Sequence, residues 1–270
     1  MDRAKLGNVE IEYEVKGDGE PVVLIHPGIF SDWFAPLRKE PILASQYRLV
    51  HFHRVGCKGS SRVEGSVSFV EQAAHINLLM GHLGIGQAHV VGHSSSGNVA
   101  LQLALDSGER VHSIAVLEPA LMSVPSVVTS RVFVGAAAER FREGDAAAAI
   151  DIFLKGTCGP QYRPLLEKAL PHSFGQYVED ARIFFEQEFP ALQQWSFTRD
   201  HAQRILQPVL AVVGSRSLEY DPIWSERQQL LLEWLPNVEP LTVNATHLLE
   251  VENPREVAEG LAKFFGRHPL

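Results

Sequence analysis

The chain has 270 residues, 45% of them apolar and 21% charged, with a formal net charge of -8. This length suits one large α/β domain with a full core, and the composition is that of an ordinary globular protein. The acidic balance argues against a nucleic-acid backbone or an anionic membrane as the main partner, because each asks for a basic face. The two cysteines, Cys57 and Cys158, match no metal-ligand spacing and no disulfide framework, so free thiols in a reducing compartment are expected. Residues 1–7 contain no apolar stretch of the secretion-signal kind, and no apolar run is long enough to span a bilayer. The expected location is the cytoplasm.

Residues 9–15 alternate apolar and acidic side chains, the period of a half-exposed strand. A Gly17-Asp18-Gly19 turn leads into 21–25, a continuous apolar run that reads as a strand buried on both faces. The text then alternates: helix 31–45, strand 48–53, helix 68–83, strand 88–91, helix 96–107, strand 111–117. Strand following helix in this rhythm predicts parallel crossover units and a doubly wound sheet. From 120 to 206 the chain is helical and loop-like, without a comparable apolar strand. The rhythm resumes with strand 208–213, helix 222–235, strand 239–244 and helix 254–266. The expected fold is therefore an α/β, doubly wound, mostly parallel core made of 1–119 and 207–270, with 120–206 inserted as a helical cap.

Three places carry chemistry. Gly92-His93-Ser94-Ser95-Ser96-Gly97 ends a strand and opens a helix, the context of a nucleophile elbow. Small residues must stand two before and two after the nucleophile. Gly92 and Ser96 do so around Ser94, whereas Ser95 would place His93 where a small residue is needed. The helix that follows brings a positive dipole end near a developing oxyanion. After the first buried strand, His26-Pro27-Gly28-Ile29 forms a loop able to supply a second backbone donor. Proline has no N–H, so Gly28 is the expected donor, with Ile29 in reserve and Ser95 as the partner donor. His247 lies just past the last strand and ahead of Asn253-Pro254, where it can reach across the strand ends to act as general base. His26 and His93 flank these loops and are expected to hydrogen-bond around the site or line its pocket.

His26-Pro27-Gly28, Arg54-Val55-Gly56-Cys57-Lys58-Gly59-Ser60, Gly92-His93-Ser94-Ser95-Ser96-Gly97 and Ala245-Thr246-His247 occur in order at fitting intervals. Together they resemble the α/β-hydrolase superfamily over nearly the whole chain. The resemblance implies a triad acid a few residues after the strand ending at Val213-Gly214, but Ser217 holds that place and Asp221 comes late. Asp221-Pro222 also reads as a helix cap. Glu118, at the end of the strand after the nucleophile helix, is better placed. Zearalenone-type lactonases carry their acid there, and the chain is similar to them in the Gly28 loop and the paired serine. Glu118 is thus the expected acid, with Asp221 as the alternative.

The expected activity is a cofactor-free serine hydrolase acting on a carboxylic ester or lactone of a hydrophobic small molecule. The hydrophobic character is suggested by the many aromatics of 120–206, with Phe30 and Trp33 as further candidates for the pocket wall. No phosphate-binding glycine loop and no metal-ligand cluster is present, so neither cofactor nor metal is expected. A cofactor-independent oxygenase and a small-molecule receptor are the alternatives on the same fold. Haloalkane dehalogenases and epoxide hydrolases are disfavoured, since they need a carboxylate where Ser94 stands.

Overall fold

A strand whose centre is a run of apolar residues has to be covered on both faces. Four such strands stand side by side in the computed structural model, which describes residues 1–270. The full set is β1 (Asp2–Leu6), β2 (Val9–Lys16), β3 (Glu20–Ile25), β4 (Tyr47–Phe52), β5 (Ala88–His93), β6 (Val111–Leu117), β7 (Val209–Gly214) and β8 (Val238–Val243). They form one sheet in the order β1-β2-β4-β3-β5-β6-β7-β8. β1–β2 and β2–β4 are antiparallel, and every other pair is parallel.

Alternate side chains go to opposite faces. Val23, Ile25, Val90, Val116 and Ala211 join one core, covered by helices Phe69–His82, Ser95–Asp106 and Pro222–Trp234. Val22, Leu24, Val91, Ala115 and Leu117 join a second core under helix Pro254–Arg267. The strands end together at one edge, and the loops there carry Gly28, Ser94, Glu118 and His247.

Two sequence expectations needed correction. The strand β1 was not anticipated; it folds back on β2 through Gly7, whose φ is +65°. The stretch 31–45 is not one helix but a series of turns with a 3-10 turn at Leu37–Lys39 and a single helical turn at Pro41–Ala44. Pro36 and Pro41 lack the N–H a continuous helix needs there and restrict the residue before them.

Between β6 and β7 the regular structure is all helical, from Val127 to Gln203. Much of it has a core of its own: Ala137, Ile150, Leu154, Tyr177, Phe184 and Phe185 pack with Ile29, Phe30 and Trp33 of the loop after β3. Its two ends, including Leu121, Val127, Phe197 and Ala202, instead pack into the main core. No helix is long and apolar enough to cross a membrane.

Candidate active site

Ser94 caps the helix Ser95–Asp106 with φ +55° and ψ -125°, a conformation that non-glycine residues hold only when their surroundings impose it. The surroundings do so. A Cβ on Gly92 would collide with the Ser96 carbonyl, and one on Gly97 would crowd Pro119. Ser96 does more than stay small. Its fully buried Oγ accepts the His93 N–H at 2.9 Å and lies against the carbonyl oxygens of His93 (2.8 Å) and Ile25. The hydroxyl therefore ties the turn to the end of β3, which a glycine there could not do.

Glu118 follows β6 with φ +43°, and its N–H donates to Val212 O at 2.9 Å. Its carboxylate faces inward. Oε1 accepts the Gly214 N–H at 2.8 Å, and Oε2 lies 2.6 Å from His247 Nδ1. Glu118 is 2% exposed and His247 4%. His247 thus spends Nδ1 on Glu118, which leaves Nε2 for the cavity. Trp224 stacks on the His247 ring (centroids 4.3 Å apart, 25° between planes), and His93 leans on it at 4.5 Å. Asp221 does something else: its Oδ1 accepts the Ile223 N–H at 2.8 Å as the cap of the Pro222–Trp234 helix. Ser217, where the usual acid would stand, is buried beside Glu118, and its hydroxyl faces that carboxylate and favours its ionised form.

Burial pushes both members of the pair toward their uncharged forms, Glu118 up to about 8 and His247 down to about 3. The Glu118 carboxylate has a backbone donor from Gly214 and lies in the field of Arg227, which favours its ionised form. Burial and Arg227 oppose an imidazolium, which only the Glu118 carboxylate 2.6 Å away favours, and a neutral ring donating its Nδ1–H satisfies that carboxylate without a buried cation. The pair therefore rests as carboxylate beside neutral imidazole, with the proton on Nδ1.

The loop after β3 turns one backbone N–H, that of Gly28, away from its own hydrogen bonds. Phe30 N–H bonds Pro27 O at 2.9 Å, so the trans Pro27–Gly28 peptide presents the Gly28 N–H on its other side. Gly28, with φ +33°, borders the cavity; Ile29 is fully buried and does not. Gly28 O is held by Arg54 Nη2 at 3.1 Å, and Arg54 pairs in a fork with Glu188 at 3.0 and 3.2 Å. The Arg54 N–H donates to His26 Nε2 at 3.0 Å, and burial beside Arg54 holds His26 neutral. Glu188 belongs to the helical segment between β6 and β7, so this ion pair fastens that segment to the loop after β3. Glu188→Ala would leave a buried guanidinium without its counter-charge. We expect a loss of about 3 kcal/mol, read as a lower urea midpoint.

Ser94, Ser95, Gly28, His93 and His247 all border one cavity of about 590 Å³. Its walls are largely aromatic, with Phe30 and Trp33 from the β3 loop, Phe133, Phe153, Phe184 and Phe189 from the helical segment, and Trp224. Trp224 and Arg227 were not singled out from the sequence, although they lie three apart and so share one helix face. The roles of Arg54 and Glu188 also escaped that reading, since the pair joins residues far apart in the chain. Cys57 and Cys158 are unpaired and buried, and burial pushes the Cys57 thiol up to about 12, which makes it a poor nucleophile.

Comparison with known proteins agrees with this architecture. The family described as alpha/beta hydrolase fold matches residues 21–249, and the chain belongs to it. An uncharacterized carboxylesterase, nap, of Bacillus subtilis is 25% identical over 261 residues, covering 92% of this chain and 80% of its own. The dihydrolipoyllysine-residue acetyltransferase component of the acetoin cleaving system of Cupriavidus necator is 36% identical over 119 residues, 43% of this chain and 31% of that protein. The chain likewise matches less than half the length of two further curated relatives, 44% and 38%. Among solved structures, Est816, described as an N-acyl homoserine lactone degrading enzyme, superposes with a TM-score of 0.75 at 22% identity over 97% of this chain and 100% of its own. This likeness shows the shared fold.

Proposed function

We propose that the protein is a cofactor-free serine hydrolase that cleaves a carboxylic ester or lactone of a hydrophobic small molecule through Ser94, His247 and Glu118. The observation that carries this reading is the buried Glu118–His247 contact of 2.6 Å, made on the wall of the cavity that Ser94 borders. His247 Nε2 takes the Ser94 proton as Oγ attacks the carbonyl, and Glu118 steadies the imidazolium that forms. The Gly28 and Ser95 N–H groups receive the oxyanion. The imidazolium returns its proton to the leaving oxygen, and water, activated by the same base, releases the acid. The carboxylesterase relative and the lactone-degrading neighbour support the substrate class. In this reading 1–119 and 207–270 form the catalytic core and 120–206 a cap that roofs the cavity. A cytoplasmic location is part of the proposal, supported by the two unpaired cysteines.

The test is a fluorophosphonate probe with peptide mass spectrometry, followed by a panel of esters and lactones. Label on Ser94 and turnover on the panel are expected. Folded protein without label would overturn the reading; oxygen uptake independent of Ser94, or tight ligand binding without turnover, would then put an oxygenase or a receptor in its place.

The pH dependence follows from the state of the base. Only neutral His247 accepts the serine proton, so kcat/KM falls as pH drops through the titration of the Glu118–His247 pair. Burial and Arg227 hold the imidazolium down. The acid limb should therefore have its midpoint below about 6.5, the ordinary histidine value. A midpoint above that value in a kcat/KM profile would contradict the assigned resting state.

A further inference from the structure

We propose that Arg227 is the group that sets substrate choice in this cavity, and that the substrate is a hydrophobic ester or lactone that also carries a carboxylate. The inference rests on the hydrolase reading above and narrows it. Arg227 is 7% exposed and borders a cavity whose walls are otherwise largely aromatic. Its Nε donates to Leu121 O at 2.9 Å, which fixes the plane of the guanidinium. That single bond leaves both Nη groups for the cavity.

No side chain of the protein supplies the missing acceptor. The three carboxylates whose fields reach Arg227 are those of Glu118, Asp221 and Glu226. Glu118 is engaged by His247 and Gly214, Asp221 caps its helix at Ile223, and Glu226 accepts from Ser126 N (2.8 Å) and Ser126 Oγ (2.7 Å). The other charged groups on the cavity wall do not change this. Glu188 is paired with Arg54, and Arg131 is an exposed second cation.

A buried cation without a paired carboxylate is costly, so its presence on the cavity wall calls for an anion that arrives with the ligand. The planar fork of an arginine matches a carboxylate in two parallel hydrogen bonds. Arg227 lies over the Trp224 ring, 5.1 Å from its centroid, and Trp224 stacks on His247. The ligand's carboxylate would therefore bind one aromatic ring away from the base, a short spacer from the bond being cleaved.

The experiment compares 4-nitrophenyl half-esters of adipic and suberic acid with their methyl-capped neutral counterparts. Wild type should favour the half-esters at least ten-fold in kcat/KM, mainly through KM, as expected for charge-assisted hydrogen bonds. Arg227→Met should abolish that preference, and Arg227→Lys should keep part of it. Octanoate binding by calorimetry, lost in Arg227→Met and kept in Arg227→Lys, reads the same subsite without turnover. Absence of any preference in wild type, or equal losses on charged and neutral esters in Arg227→Met, would overturn the proposal and leave Arg227 acting only through the field at Glu118. If Ser94 resists the probe while octanoate still binds through Arg227, the hydrolase reading fails and the anion site stands.

Discussion

Glu118→Gln is expected to lower kcat/KM by about three to four orders of magnitude, while Asp221→Asn stays within a few-fold of wild type. The asymmetry comes from what each carboxylate touches. Glu118 Oε2 is 2.6 Å from His247 Nδ1, so it selects the tautomer with Nε2 free and stabilises the cation formed at the transition state. A glutamine amide is nearly isosteric but neutral, and its NH2 group can donate to Nδ1 and fix the wrong tautomer. Asp221 holds the start of a helix, and its loss is a matter of stability, about 1 kcal/mol. Steady-state rates on an ester found active in the panel, together with the rate of fluorophosphonate labelling, check both variants. Equal or reversed losses would move the acid to Asp221.

Ser94→Ala should remove about five orders of magnitude or more from kcat and all of the probe label. The size of the effect reflects a chemical step that has no substitute in the cavity. Both cysteines are buried, the Cys57 thiol is pushed up to about 12, and Cys158 is pushed well up by burial and by neighbouring Glu118 and Glu250. Residual turnover would come from the Gly28 and Ser95 donors and from substrate positioning. The variant should keep its fold, since no side-chain cap bond is lost at Ser94 and the turn is held by Gly92, Ser96 and Gly97. Its melting temperature and its octanoate affinity both check that. Turnover close to wild type in the folded variant would sink the acyl-enzyme mechanism.

Much of this was readable residue by residue. Buried parallel strands declare themselves as short, mostly apolar runs alternating with helical text, and β3, β5, β6 and β7 were legible for that reason. The elbow was legible because its strain allows only small residues at set distances from Ser94. β1 was not legible: five residues with a mixed burial pattern carry too little periodicity to stand out. The helix expected over 31–45 does not form because Pro36 and Pro41 break its hydrogen-bond ladder.

The sequence alone determined the properties that depend on local spacing: the order of strands and helices, the place of Ser94 at a strand-to-helix turn, and the places of Gly28, Glu118 and His247 at strand ends. Only the tertiary structure decided which carboxylate meets His247, because Glu118 and His247 are 129 positions apart and a contact at that range is set by strand order, not by pattern. It alone also decided that Arg54 would be neutralised by Glu188 and Arg227 left open. A charge's partner is whatever the fold brings within a few ångströms, and one-dimensional text does not record that distance.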